Sequence, residues 1–163
     1  MKDEELRKRD VEYWLQIFAA EDGNPRINQS DYGEMQDSRP ARKPLPKTTQ
    51  KLTVGEINQM DKRSFEKMRK GQMPIEAKID LHGHAAEEAR FALYDFIEAA
   101  QITGKRCVLV ITGKGSISGK AVIRSSLPDW LNDSLIRDKI LSFSETQPRH
   151  GGAGAFYVML RKN

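Results

Sequence analysis

The run RCVLVIT, residues 106 to 112, is nearly all apolar, as a central strand covered on both faces of a sheet requires. On either side of it in the sequence, strands alternate with helices. Before it, AKIDLH (77–82) is a short apolar run ending in a turn. Residues 85 to 101 then bring Ala85, Ala89, Leu93, Phe96, Ile97 and Ala100 to one side of a helix with acids on the other. After it, a helix from about Lys120 carries Val122, Ile123 and Leu127 inward and meets Pro128, which is expected to break or kink it before DWLND. KILSFSET (139–146) and AFYVMLRK (155–162) read as two further strands joined by a glycine-rich turn. The pattern is βαβαββ. Two strand–helix–strand units imply right-handed crossovers and a parallel core of three strands, with the fourth returning antiparallel.

The region before residue 72 is different in kind. Residues 1–21 hold an amphipathic helix over 3–20, with Val11, Trp14, Leu15 and Phe18 on one side, suited to docking on the main domain or on a partner protein. Residues 22–54 are rich in Pro, Gly, Ser, Asn and charge and read as a flexible basic linker. Within it, Arg39, Arg42, Lys43, Lys47 and Lys51 stand without an acid among them, as an arm for phosphates or as a soluble spacer. A short leading helix within 55–71, stopped by Gly71 and then Pro74, enters the main domain at 72–163.

Bulk properties set few limits on function. The net charge of +4 divides evenly: residues 1–75 carry 15 Lys and Arg against 13 acids, and 76–163 carry 12 against 10, so charge alone nominates no nucleic-acid-binding segment. Cys107 is the single cysteine, which excludes an internal disulfide and a thiolate metal cage. No apolar run approaches the roughly 18 residues of a membrane span and the first ten residues lack a secretory signal, so a cytoplasmic protein is expected.

The chemistry gathers in three turns. In a sheet of this topology the turns after strands one and two, and the turn from strand three into strand four, share one edge, where open α/β sheets bind ligands. The first turn, DLHGH, sets Asp80 and His82 one residue apart so that both leave the same face. A carboxylate beside an imidazole fixes its tautomer for general acid or base work; an Asp that caps the turn and a His bonded to backbone would read the same way. Gly83 supplies a backbone angle or a close approach, and His84 is better placed to cap the next helix than to catalyse. The second, TGKGSISGK, flanks Lys114 with Gly113 and Gly115, pairing amides and a cation suited to phosphate. A nucleotide-binding P-loop is excluded, because the spacing from Gly113 is one residue too long and Ala121 stands where the hydroxyl is needed. The third, RHGGAGA, offers Arg149 and His150 as a phosphodiester clamp beside Gly151, Gly152 and Gly154, glycines that a hairpin turn alone would also use. A structural zinc site is not expected from these residues.

These motifs closely resemble those of the small MutS-related (Smr) family over about residues 72–163. IDLHGHAAEEA stands for its leucine-aspartate-leucine-histidine-glycine turn, with Ile79 in place of the usual leucine. VITGKG stands for its threonine-glycine-x-glycine loop, HGGAGAFYVMLRK for its closing glycine turn and strand, and IRSSLPDWL is similar to its second helix. The resemblance implies a two-layer α/β sandwich with a four-stranded mixed sheet, similar to the carboxyl domain of translation initiation factor three. It also implies nicking or endonucleolytic activity on DNA or RNA, in some members on messenger RNA at stalled ribosomes. Asp80 and His82 then match the family's proposed catalytic element, and Thr112, Gly113, Lys114 and Gly115 its glycine loop. The need for a divalent metal such as Mg²⁺ varies among members, so the resemblance fixes no cofactor. Its partners would be nucleic acid, RNA or DNA, with the ribosome or another protein reached through the N-terminal helix, and no membrane. A module that binds such partners without cutting them is the competing expectation.

Overall fold

A computed structural model describes residues 51–57, 60–115 and 121–162, together with position 16 alone. The amphipathic helix expected over 3–20, apart from Gln16, and nearly all of the basic linker lie outside the described residues. The element order is α1 (Lys62–Arg69), β1 (Ala77–Asp80), α2 (Ala86–Ile102), β2 (Cys107–Ile111), α3 (Val122–Leu131), β3 (Ile140–Glu145) and β4 (Ala155–Leu160), with short 3-10 turns before and after β3. No helix among the described residues is long and apolar enough to cross a membrane.

The four strands form one mixed sheet in the order β1-β2-β4-β3. β1 and β2 pair in parallel, and β4 is antiparallel to both β2 and β3. The three strands expected to be parallel do run the same way, but they do not form a contiguous core, because β4 inserts between β2 and β3. The reason lies in composition. β4, AFYVML, is buried at every position, so it needs neighbours on both edges, whereas β3 carries serines and ends on the exposed Glu145.

Alternation along the strands builds two apolar layers. Ile79, Val108, Val110, Phe156 and Val158 face α2 and α3, joined by Leu93, Phe96, Ile97, Leu127 and Leu131. Cys107, Leu109, Tyr157 and Met159 face the other way and receive Phe65 and Met68 of α1. Cys107 is therefore a core residue. Burial, reinforced by the nearby Glu76 carboxylate, pushes its thiol up to about 11. At pH 8 only about one thiol in a thousand is then ionised. Iodoacetamide is expected to leave the native protein essentially unlabelled over a period in which the urea-unfolded chain reacts fully; equal rates would contradict this packing.

Two boundaries differ from expectation. α3 passes through Pro128 and ends only at Leu131, although proline forfeits one intrahelical bond. Two contacts at the helix end offset that loss: Leu131 is buried, and Asn132 donates its side-chain amide to the Pro128 carbonyl at 2.8 Å. The folded unit also begins earlier than residue 55. Leu52 is buried with the α2–α3 layer, its N–H donates to Asn132 Oδ1 at 2.6 Å, and its carbonyl accepts from Asn132 Nδ2 at 2.9 Å. Gly55 N–H then donates to the Phe143 carbonyl, and Ser142 Oγ donates to the Glu56 carbonyl. Residues 52–56 thus strap the outer edge of β3 and cover backbone groups that an edge strand otherwise exposes.

Candidate active site

Strand register decides where the three turns meet. Asp80 pairs with Ile111 and Ile111 with Ala155, while Glu145 pairs with Phe156. The ends of β1, β2 and β3 and the start of β4 therefore lie on one rim. The turns also touch. A Cβ built on Gly113 would sit 3.3 Å from His82 Cβ, and one built on Gly154 would sit 3.1 Å from Lys114 Cγ and 3.3 Å from its backbone nitrogen. Gly154 is the close approach that admits the Lys114 loop. Its carbonyl accepts the N–H groups of Thr112 and Gly113, and the buried Thr112 hydroxyl lies 3.2 Å from the same oxygen.

Leu81 is fully buried in the α2–α3 layer, which turns Asp80 and His82 to the other side. Asp80 Oδ1 accepts the His82 backbone N–H at 3.0 Å and lies 2.5 Å from His82 Nδ1. One carboxylate oxygen thus both caps the turn and orients the ring, whose Nδ1 meets this carboxylate and not a backbone group. With Nδ1–H donating to the carboxylate, Nε2 is left as the basic nitrogen. The imidazole side chain is 68 % exposed and Asp80 27 %, so the acid is the sheltered partner and the ring faces solvent. Gly83 holds φ +76°, and nothing lies within 4 Å of a Cβ built there. It is the backbone angle, not a close approach, that calls for glycine. His84 does not cap α2: Ala85 is the N-cap residue, and His84 Nδ1 lies 4.0 Å from Glu88 Oε2.

The phosphate-holding capacity of the other two turns is narrower than their composition suggests. Thr112 and Gly113 spend their amides on Gly154. Gly151, Gly152 and Gly154 donate theirs to Pro148, Gln147 and Gly151 within the turn. What remains beside His82 is the exposed Lys114–Gly115 stretch with the Lys114 ammonium. Arg149 and His150 serve the fold. Arg149 donates to the Lys70 and Gly71 carbonyls, both at 2.9 Å, and His150 Nδ1 bonds the Tyr157 hydroxyl. Gln147 adds a bond to the Arg69 carbonyl at 2.9 Å. Arg149 and Gln147 fasten the end of α1 to the rim, and His150 ties the turn to β4. A tyrosine within an otherwise apolar strand is the one signal in the sequence that a polar partner must reach β4.

Among the described residues no three His, Cys, Asp or Glu side chains are grouped to hold a metal ion. Asp80 and His82 offer two donor groups, already bonded to each other.

The Smr domain family model matches residues 79–161, more than half of the chain and the whole of this rim. The chain belongs to the Smr family. The Smr segment is similar to the probable DNA endonuclease SmrA of Escherichia coli (strain K12), at 37 % identity over 60 % of this chain and 52 % of that protein. It is also similar to the ribosome rescue factor SmrB of Tolumonas auensis, at 28 % identity over 60 % of this chain and 52 % of that one. Matching stretches thus span about half the length of these curated relatives. Among solved structures, the stand-alone small MutS-related protein YdaL from E. coli matches with a TM-score of 0.55 and 34 % identity, over 63 % of this chain and 78 % of that one. The Smr fold expected from the sequence is the fold observed.

Proposed function

We propose that this Smr protein is an endonuclease that cleaves or nicks phosphodiester bonds in nucleic acid, with His82, oriented by Asp80, as the proton-transfer group. The observation that carries this reading is the 2.5 Å contact between His82 Nδ1 and Asp80 Oδ1 on an exposed ring, beside the Gly113–Lys114 loop. Lys114 and the amides of Lys114 and Gly115 hold the phosphate oxygens. On RNA, His82 Nε2 takes the proton of the neighbouring 2′-hydroxyl as its oxygen bonds phosphorus; the bond from phosphorus to the 5′-oxygen breaks, and that oxygen is protonated in turn. On DNA the attacking group is water.

The names of the relatives, a DNA endonuclease and a ribosome rescue factor, support nucleic acid as partner and ribosome-associated messenger RNA as one setting. The test sets supercoiled plasmid beside a structured RNA, with and without chelator, for the wild type and Asp80→Ala. Cleavage of at least one substrate, lowered about 100-fold or more in the variant, is expected. Substrates bound but left intact under every condition would establish a binding module instead.

A further inference from the structure

The described residues carry a second concentration of positive charge, away from the catalytic pair. Residues 61–70, DKRSFEKMRK, hold five cations and two acids, a net +3 in a chain whose total is +4. Packing fixes which way they face. Phe65 and Met68 are buried against Tyr157 and Met159, so α1 cannot rotate, and Lys62, Arg63, Lys67 and Lys70 are exposed. Asp61 is used as the N-cap, accepting the Ser64 N–H at 2.9 Å, and Glu66 lies between Arg69 at 3.4 Å and Lys70 at 3.9 Å. Lys62, Arg63 and Lys67 have no acidic partner among the described residues.

The helix is also aimed. Its carboxyl end is bonded to the β3–β4 turn through Arg149 and Gln147, and that turn is bonded through Gly154 to the loop beside His82. A basic face that merely kept the protein in solution would not need a fixed position relative to the rim. We propose that the exposed basic face of α1 is a docking surface for the sugar–phosphate backbone flanking the scissile bond, so that the enzyme grips several nucleotides beyond the one it cuts. This rests on the nucleic-acid reading of the rim, and it assigns the charge to backbone contacts, which carry no base specificity.

The test is a binding titration across salt concentrations with a fluorescent 20-nucleotide RNA, using the full chain with His82→Ala so that the RNA stays intact. In that background Lys62, Arg63, Lys67 and Lys70 are changed together to Gln, whose helix propensity is close to that of Lys and Arg. Four lost phosphate contacts are expected to flatten the log–log salt slope by about 3 and to weaken binding at least tenfold at low salt. An unchanged slope and affinity would overturn the proposal. Should the fourfold variant melt early, Lys62→Glu with Lys67→Glu, which spares the residues next to the rim, must still flatten the slope, and failure to do so has the same force. The readout is separate from catalysis. Wild-type cleavage with an unchanged slope removes this surface and leaves the nuclease, whereas a flattened slope without wild-type cleavage removes the nuclease and leaves the surface.

Discussion

Replacing His82 by alanine is expected to lower cleavage by about 10²- to 10⁴-fold, the usual worth of one general acid or base, with little loss of substrate binding. The structure gives both halves of that expectation. The ring is 68 % exposed and contributes nothing to either apolar layer, so its removal leaves the fold intact. The groups left to hold phosphate, Lys114 and the neighbouring amides, belong to a loop stapled to Gly154 rather than to His82. Loss of rate therefore separates from loss of affinity. A variant that binds poorly but turns over bound substrate normally would show that His82 is a binding residue.

The second large effect lies far from the rim. Leu52→Ala is expected to destabilise the protein by about 2 to 5 kcal/mol, the range for a buried leucine that leaves a cavity, and to lower Tm by on the order of 10 °C. Leu52 is 2 % exposed and sits in the α2–α3 layer, held at both its N–H and its carbonyl by Asn132. Val54, two residues on and 37 % exposed, provides the control: Val54→Ala should stay within about 0.5 kcal/mol of the wild type. Equal melting of the two variants would mean that the strap is not part of the folded unit.

Leu52 also shows where sequence reasoning stops. Leu52 stands in RPARKPLPKTTQKLT among prolines and polar residues that predict no helix or strand, and its burial is decided by an asparagine 80 positions away. By contrast, the elements of the main domain were legible because their apolar spacing is strong: Ala85 to Ala100 predicts α2, and CVLVI can only be an inner strand. Strand direction followed from the crossover rule, yet the order of strands did not. The clue was present in AFYVML, apolar but for one tyrosine and so a better candidate for the interior than the serine-bearing β3. The rim was legible as a meeting of turns, because parallel units fix which ends of the strands coincide. Which polar groups remain available there was not. Arg149 and His150 have the composition of a phosphate clamp, but the sequence does not reveal that Arg149 meets the carbonyls at the end of α1 and His150 the Tyr157 hydroxyl.

Asp80 and His82 form one device if the carboxylate acts only through the ring it holds. The decisive measurement is a double-mutant cycle on cleavage rate, comparing His82→Ala with and without Asp80→Asn. The pair predicts that Asp80→Asn, harmful in the wild type, costs nothing further once the imidazole is gone. Two losses that multiply in full would contradict it, and with it the claim that this rim delivers an oriented imidazole to a phosphate.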